Sequence, residues 1–529
     1  MILTAAAALT GMCLAGVSMY HGPGVGGDAT IYLTTAENLA KGFGLVLLEP
    51  DGSTRLLPYF PPFYPIILSL FAFIGLDLVQ TALWLNIALF GLLIILAGVI
   101  TISATQSALL TGLICFAVAL SPILIPVYSW AMSEPLAILL GFLSLAVLWR
   151  YCQKKHGAGL LILAGLLSGL SFLTRYSSIA YVITGVLVLI LNFGFKRLVA
   201  LIKKILFFCL PALSPMVIWL IIDFTHTSSV ASRSILSWQG ISQRLVSYLP
   251  QLKDVLLFWL LPESLIEKPP YPEAINTIIL IAVLVCLLVI GVLVTRKNAG
   301  MEYSERIAEK NAFRNILLLF ALVFFLVISA IYFLTYPPIT IGSRMFAPAH
   351  TAVIWLLILS IPEVVRLFSG RLIRAAIAAA LVIFIAVYGV RSLRIVNYNY
   401  HQGLGYTAPA WRNSETIAAV RQLPDETILI TNETNAVLFL TDRLSYPLRE
   451  IYSDEPEIQF YPYGSGDFNI DPAQQLFVEE HAALILFDTI DDQFASLYQE
   501  RTEERILSLV KGLHQAYRGS DGGIFYYDD

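Results

Sequence analysis

Apolar runs of about twenty residues recur along most of this chain, and a run of that length is what it takes to cross a lipid bilayer. Eleven such segments stand out, at about 1–20, 78–102, 107–128, 132–152, 158–175, 176–195, 205–224, 274–295, 315–335, 345–361 and 375–391. Only 13% of the 529 residues are charged, against about 25% in an ordinary soluble domain, and the mean hydropathy is +0.75. The expected fold is mainly α: a polytopic helical membrane domain, because in lipid each backbone polar group must be satisfied within its own segment. Met1 to Tyr20 has no basic leader and no small-residue cleavage site, so it is read as a retained span.

Basic residues alternate between the loops. Arg150, Lys154 and Lys155 fall in one; Lys196, Arg197, Lys203 and Lys204 in the next; Arg296, Lys297, Arg306, Lys310 and Arg314 in a third; Arg366, Arg371 and Arg374 in a fourth. Loops rich in Lys and Arg stay cytoplasmic. With an odd number of spans, the N-terminus is expected inside and the C-terminal part outside.

Composition changes near residue 391. Residues 1–390 carry a formal charge of +8 and residues 391–529 a formal −12. The expected domains are 1–391 in the membrane and 392–529 as a small soluble α/β domain outside it. That domain has helices at 414–423 and near 492–513, and strands at 427–431, 482–487 and 523–527. An acidic soluble part argues against nucleic acid as a partner. The five cysteines, Cys13, Cys115, Cys152, Cys209 and Cys286, all lie in or beside apolar segments. They suit buried packing and leave the soluble domain without a disulfide framework or a thiolate metal site. No cofactor is indicated; a divalent cation remains possible, although Asp223 with His226 supplies only two donors. Asn432-Glu433-Thr434 fits a glycosylation sequon.

The outer loop 21–77 opens with a glycine-rich stretch, His21 to Gly27, followed by Asp28. No Gly-Lys-Ser/Thr follows, so this is not a P-loop. Ala29, Tyr32, Leu33, Ala36, Ala40 and Phe43 share one helical stripe, with Thr30, Thr34, Glu37, Asn38 and Lys41 opposite, which suits an interfacial helix. Asp28 stands at its start, where the helix dipole favours a carboxylate. Capping and catalysis are both open there, and they are compatible. The loop ends in Tyr59-Phe60-Pro61-Pro62-Phe63-Tyr64-Pro65, a stiff corner that anchors at the interface or walls a sugar or lipid site. Glu134 opens a span, Arg175 lies between two spans and Arg344 sits at a span's outer end. An arginine so placed is costly unless paired or wetted. Arg55 lies in a polar loop. The second outer loop, 225–272, holds Arg233, Trp238, Arg244, Lys253, Trp259 and the run Pro269-Pro270-Tyr271-Pro272.

These features recur in order. Gly27-Asp28 is followed by Tyr32, Ala36, Leu39, Ala40, Gly42 and Gly44, then by Pro61-Pro62-x-Tyr64-Pro65 and Gly75. Ser133-Glu134-Pro135, Gly165-x3-Gly169-Leu170-x3-Thr174-Arg175 and Ser343-Arg344-Met345-x2-Pro348 come later. Together, over residues 1–390, they resemble the GT-C superfamily of membrane glycosyltransferases, family 39 in particular, which includes protein O-mannosyltransferases and the lipid A aminoarabinose transferase. The resemblance implies a polyprenyl-phosphate-linked sugar donor, a glycan, lipid or protein acceptor, and transfer with inversion at the outer face of a membrane, here the prokaryotic plasma membrane. It also implies that Asp28 is the catalytic aspartate, which the chemistry casts as the general base; the candidate substrate-binding residues are Tyr32, Arg55, Tyr59, Tyr64, Glu134, Arg175 and Arg344. Two departures stand out. Many relatives have Asp-Glu where this chain has Asp28-Ala29, and the aminoarabinose transferase has a lysine where this chain has Phe60. Phosphate contacts are therefore expected from Arg55, Arg175 or Arg344. The alternatives are a polysaccharide ligase or polymerase working through the 225–272 loop with His226, Arg233 and Arg244, and a transporter or flippase, which would need a polar midplane pathway.

Overall fold

The structure is a computed structural model. It describes the chain apart from residues 58, 154–156, 228–233, 236–237, 263–264, 267–271, 273, 283–284, 286–288, 290–311, 337–340, 368–369, 449–481, 499–501 and 528–529. Two compact units are present: one made of residues 1–20, 59–67 and 80–401, the other of residues 21–58, 68–79 and 402–529.

The first unit is helical. Among the described residues, seven helices are long and apolar enough to cross a membrane: Leu78–Thr105, Glu134–Gln153, Tyr176–Phe193, Leu198–His226, Ala312–Leu334, Ala347–Val365 and Arg374–Gln402. Three further expected spans are shorter helices, Ile2–Ser18, Ala108–Ala119 and Ala158–Phe172. Half of the expected span at 274–295 lies outside the described residues, as do Arg233 and the Pro269–Tyr271 run. The chain is thus an integral membrane protein with a many-helix core.

Small residues let these helices approach closely, as is common where lipid gives no hydrophobic drive between them. Gly165 and Gly169 lie one turn apart on the Ala158–Phe172 helix. A Cβ on Gly165 would come within 2.1 Å of the Phe208 carbonyl oxygen, and one on Gly169 within 2.7 Å of the Pro211 oxygen. The Gly-x3-Gly part of the sequence pattern is therefore a packing device against the Leu198–Thr227 helix. Large rings fill the centre: Phe142, Tyr181, Phe320 and Trp355 contact one another, and Trp355 Nε1 donates to Thr101 Oγ1 at 2.9 Å. Arg314, counted above among the loop cations, is 3% exposed and pairs with Glu363 at 2.5 Å. Packed between helices, it is neutralised there and does not act as a solvated loop charge.

Strand β1 (Val46–Leu48) pairs with β2 (Thr54–Leu56), and β3 (Ser234–Ile235) with β4 (Thr335–Tyr336); the second unit also contains a five-stranded sheet of order β6-β5-β7-β9-β8. Its strands are β5 (Leu429–Thr431), β6 (Tyr446–Pro447), β7 (Ala483–Phe487), β8 (Leu513–Arg518) and β9 (Gly522–Tyr527). β6, β5 and β7 run parallel; β9 and β8 follow antiparallel. All five residues of β7 are buried, as a central strand requires, and alternation sends them to two cores. Leu484 and Leu486 meet Phe494 and Leu509 on one face. Ile485 and Phe487 meet Ile417, Val420 and Val437 on the other. The expected helix at 414–423 is Glu415–Val420, with Ser414 Oγ accepting from Ile417 N–H. The helix expected near 492–513 is two helices, Ile490–Tyr498 and Thr502–Val510, with Gly512 at φ +81° before strand β8. The Asn432 amide donates to the Phe487 carbonyl at 3.3 Å and accepts from its N–H at 2.9 Å. The sequon asparagine is thus engaged between β5 and β7.

The outer-loop helix of this unit is Gly27–Ala40. Ala29, Tyr32, Leu33 and Ala36 are buried as expected, but so are Thr30, Thr35 and Asn38, while Phe43 is exposed. On the expected polar face Glu37 and Lys41 stay exposed, whereas Asn38 turns inward and donates to the Val46 carbonyl of the β1–β2 hairpin at 2.9 Å. Lys41 caps the helix, and Gly42 and Gly44 leave it at φ +90° and +93°, where a side chain would be strained.

Candidate active site

Three residues far apart in sequence meet in the helical unit. Glu134 is the first residue of its helix and only 3% exposed. Arg175, in the break between the Ala158–Phe172 helix and the short Tyr176–Ser178 turn, places Nη1 2.9 Å from Glu134 Oε2. The same nitrogen donates to Ser133 Oγ at 3.2 Å. Arg344, just ahead of the Ala347–Leu367 helix, places Nε 3.1 Å from Glu134 Oε1. Each carboxylate oxygen therefore faces one guanidinium.

The charges explain the arrangement. A buried carboxylate without a counter-charge costs several kcal/mol, and a helix start with one arginine on each oxygen removes that cost. The trio carries one formal positive charge. Arg344 is 41% exposed and Arg175 20%, so that charge lies at the rim of the cluster and not in the core. Among the described residues no three His, Cys, Asp or Glu side chains gather as a metal site.

The aromatic corner lies against the same break. Phe63 N–H donates to the Leu173 carbonyl at 3.1 Å, two residues before Arg175. Tyr59 sits at φ +63°, an uncommon conformation for a bulky side chain and one that collects at functional sites. Tyr64 is fully buried, so its ring is part of the packing that supports the corner.

The second unit holds Asp28, Tyr32 and Arg55. Gly26 takes the N-cap position, and Asp28 lies in the first turn, half-buried. The glycine stretch before it is pinned by the segment 404–407. Tyr406 N–H donates to the Val25 carbonyl at 2.7 Å, and Thr407 Oγ1 to the Pro23 carbonyl at 2.8 Å. A Cβ on Gly405 would lie 2.1 Å from the Val25 oxygen. The Tyr406 hydroxyl donates to Glu433 Oε2 at 3.2 Å, while Thr489 and Gln493 donate to Oε1 at 2.7 and 3.0 Å. Burial and the adjacent Glu433 carboxylate hold the Tyr406 phenol well above its usual range. Tyr32 is fully buried. Arg55 pairs with Glu49 at 2.7 Å across the hairpin, and burial raises the Glu49 carboxyl against the lowering effect of Arg55.

Sequence reasoning named Glu134, Arg175 and Arg344 one at a time. It missed Ser133 as a partner of Arg175 and the Tyr406–Glu433 brace, whose two residues stand 27 positions apart with no shared local pattern. In the 225–272 loop, Arg244 donates to the Tyr332 and Thr335 carbonyls, both at 2.6 Å. It closes the end of the Ala312–Leu334 helix. His226 Nδ1 lies 2.8 Å from the Ile222 carbonyl, one turn back on its own helix.

No protein-family profile and no curated protein matches the sequence. The fold does have solved counterparts, and it is a GT-C-like membrane fold. ArnT from Cupriavidus metallidurans in the apo state aligns with a TM-score of 0.54 at 14% identity, covering 99% of this chain and 97% of that one. The oligosaccharyltransferase of Archaeoglobus fulgidus in complex with Zn and sulfate aligns with a TM-score of 0.55 at 13% identity, covering 99% and 73%. The archaeal oligosaccharyltransferase AglB from the same organism, with an inhibitory peptide and a dolichol-phosphate, gives 0.50 at 12% identity over 99% and 74%.

Proposed function

We propose that this protein transfers a sugar from a polyprenyl-phosphate-linked donor to an acceptor hydroxyl at the outer face of the membrane, with inversion. The observation that carries the reading is the buried Glu134 holding Arg175 and Arg344 in place. Two oriented cations are what a departing phosphate needs, since charge builds on its oxygens as the bond breaks. Support also comes from the fold, shared with an oligosaccharyltransferase solved with a dolichol-phosphate.

In this reading Asp28 takes the proton from the acceptor hydroxyl as its oxygen bonds to the anomeric carbon. The bond from that carbon to the phosphate oxygen breaks, and its electron pair leaves with the polyprenyl phosphate. One carboxylate suffices, because direct inversion forms no glycosyl-enzyme; retaining hydrolases need a pair. In the same reading the loop that carries Asp28 and the sheet unit belong to the outer side of the membrane and the N-terminus to the cytoplasm, as the alternation of basic loops implies. The loop alternative is less well supported, because Arg244 is committed to backbone carbonyls.

The test uses the full chain in liposomes with a panel of radiolabelled undecaprenyl-phosphate hexoses and pentoses, following release of undecaprenyl phosphate. Asp28→Asn is expected to slow release by about 10²–10⁴-fold, the usual worth of a general base. A folded Asp28→Asn protein with wild-type turnover sinks the assignment.

A further inference from the structure

The helical unit contains a cavity whose lining shares no residue with the glutamate–arginine trio. It runs between the Ala347–Leu367 and Arg371–Gln402 helices, with a volume of about 380 Å³ and an almost wholly apolar lining, including Leu256, Ile354, Ile361, Val364 and Phe384. Its length follows from the helix. His350 and Val364 both line it, and fourteen residues at about 1.5 Å each give roughly 21 Å. That exceeds the depth of one leaflet's hydrocarbon, about half of 30 Å.

One end is polar and incomplete. Trp259 and His350 line the cavity there with Tyr388. The Tyr388 hydroxyl donates to the Trp259 carbonyl at 2.9 Å and lies 3.2 Å from His350 Nε2. Its one proton is spent on that carbonyl, so Nε2 carries the hydrogen that joins the two, and His350 Nδ1 is left as an acceptor. Arg391, one turn along from Tyr388, donates Nη2 to the Phe258 carbonyl at 2.6 Å. Three atoms then have no hydrogen-bond partner among the described residues: Trp259 Nε1, His350 Nδ1 and Arg391 Nη1. Their residues are 7%, 1% and 7% exposed. Buried donors and acceptors are satisfied in the great majority of cases, and leaving one unmet costs about 1–3 kcal/mol. Two of these atoms belong to residues that line the head of one greasy cavity, and the third, on Arg391, lies on the helix that carries Tyr388 and is bonded to the residue before Trp259; together they point to an amphiphile.

We propose that this cavity binds one chain of an anionic phospholipid with a hydroxylated head group. The phosphate takes the Trp259 and Arg391 hydrogens, a head-group hydroxyl donates to His350 Nδ1, and one acyl chain fills the groove down to Val364. Arg391 calls for an anionic oxygen, while the acceptor Nδ1 calls for a hydrogen beside it. A groove of this length holds an acyl chain, whereas a polyprenyl tail far exceeds it. The lipid clamps the Ala347–Leu367 helix to its neighbour.

The full-length protein, delipidated in detergent, would be titrated with phosphatidylglycerol, phosphatidylcholine and undecaprenyl phosphate, reading bound lipid by native mass spectrometry and Tm alongside. Expected are one retained phosphatidylglycerol per chain, a Tm that rises with its concentration, and weaker binding of phosphatidylcholine. Trp259→Phe keeps the ring and removes the N–H, and should weaken phosphatidylglycerol about tenfold. Ile361→Trp fills the groove without touching the polar end and should abolish retention, so it decides the matter if Trp259→Phe misfolds. Equal binding of both phospholipids, insensitive to either change, overturns the proposal. So does preferential uptake of undecaprenyl phosphate, which would make the groove part of a donor path.

Discussion

At residue scale the protein turns on how it handles a few buried charges. Glu134 is almost fully buried, and both its partners keep contact with the rim. Removing the carboxylate leaves two guanidiniums facing each other without compensation. Glu134→Ala is expected to destabilise the helical unit by about 3–5 kcal/mol, seen as a fall in Tm in detergent. Arg344→Ala removes the more exposed partner and should cost about 1 kcal/mol or less in stability. In the liposome assay, however, it should weaken turnover more than it weakens the fold. Equal stability losses for the two variants would show that the trio is a surface pair and not a buried clamp.

At the scale of elements, close approach and bracing do most of the positioning. The Ala158–Phe172 helix touches its neighbour through Gly165 and Gly169, where a side chain would run into backbone oxygen. Gly165→Leu cannot be absorbed by a rotamer change. It should cost about 1–3 kcal/mol and move the segment ending at Arg175, and a variant as stable and active as the parent would contradict this. The glycine stretch before Asp28 depends on a brace that runs through Tyr406 to Glu433. Because the folded protein raises the Tyr406 phenol above its usual value of 10.0, it holds that proton more tightly than the unfolded chain does. The contribution is complete below pH 10 and is lost as pH rises beyond it. Tyr406→Phe is expected to flatten the alkaline limb of stability followed by circular dichroism, and to leave the acid limb alone. An unchanged alkaline limb would mean that the phenol is not the titrating group.

At the scale of the whole molecule there are two units, each with its own core. The sheet unit buries separate apolar clusters on both faces, while the helical unit is largely faced by lipid. Their responses to solvent therefore differ: urea in the presence of detergent should unfold the sheet unit first, giving two transitions by tryptophan fluorescence and far-UV circular dichroism. A single coincident transition would show that the units are energetically one. Most of the helical architecture was legible in the sequence, because a bilayer makes hydropathy over some twenty residues nearly sufficient to mark a span. The central strands were legible too, since Ala483 to Phe487 has the unbroken apolar run of a strand buried on both faces. Strand β8 was not, because its alternation is mixed and it follows a helix after only two residues, Lys511 and Gly512. The sequence by itself determined that this chain must live in a membrane and carry a small sheet domain, since transfer free energies and strand periodicity act locally. Only the tertiary structure decided that Glu134, Arg175 and Arg344 share one site, and that Trp259 and His350 line one cavity. Contacts between residues so distant in the chain are set by how helices pack, and no local pattern records that.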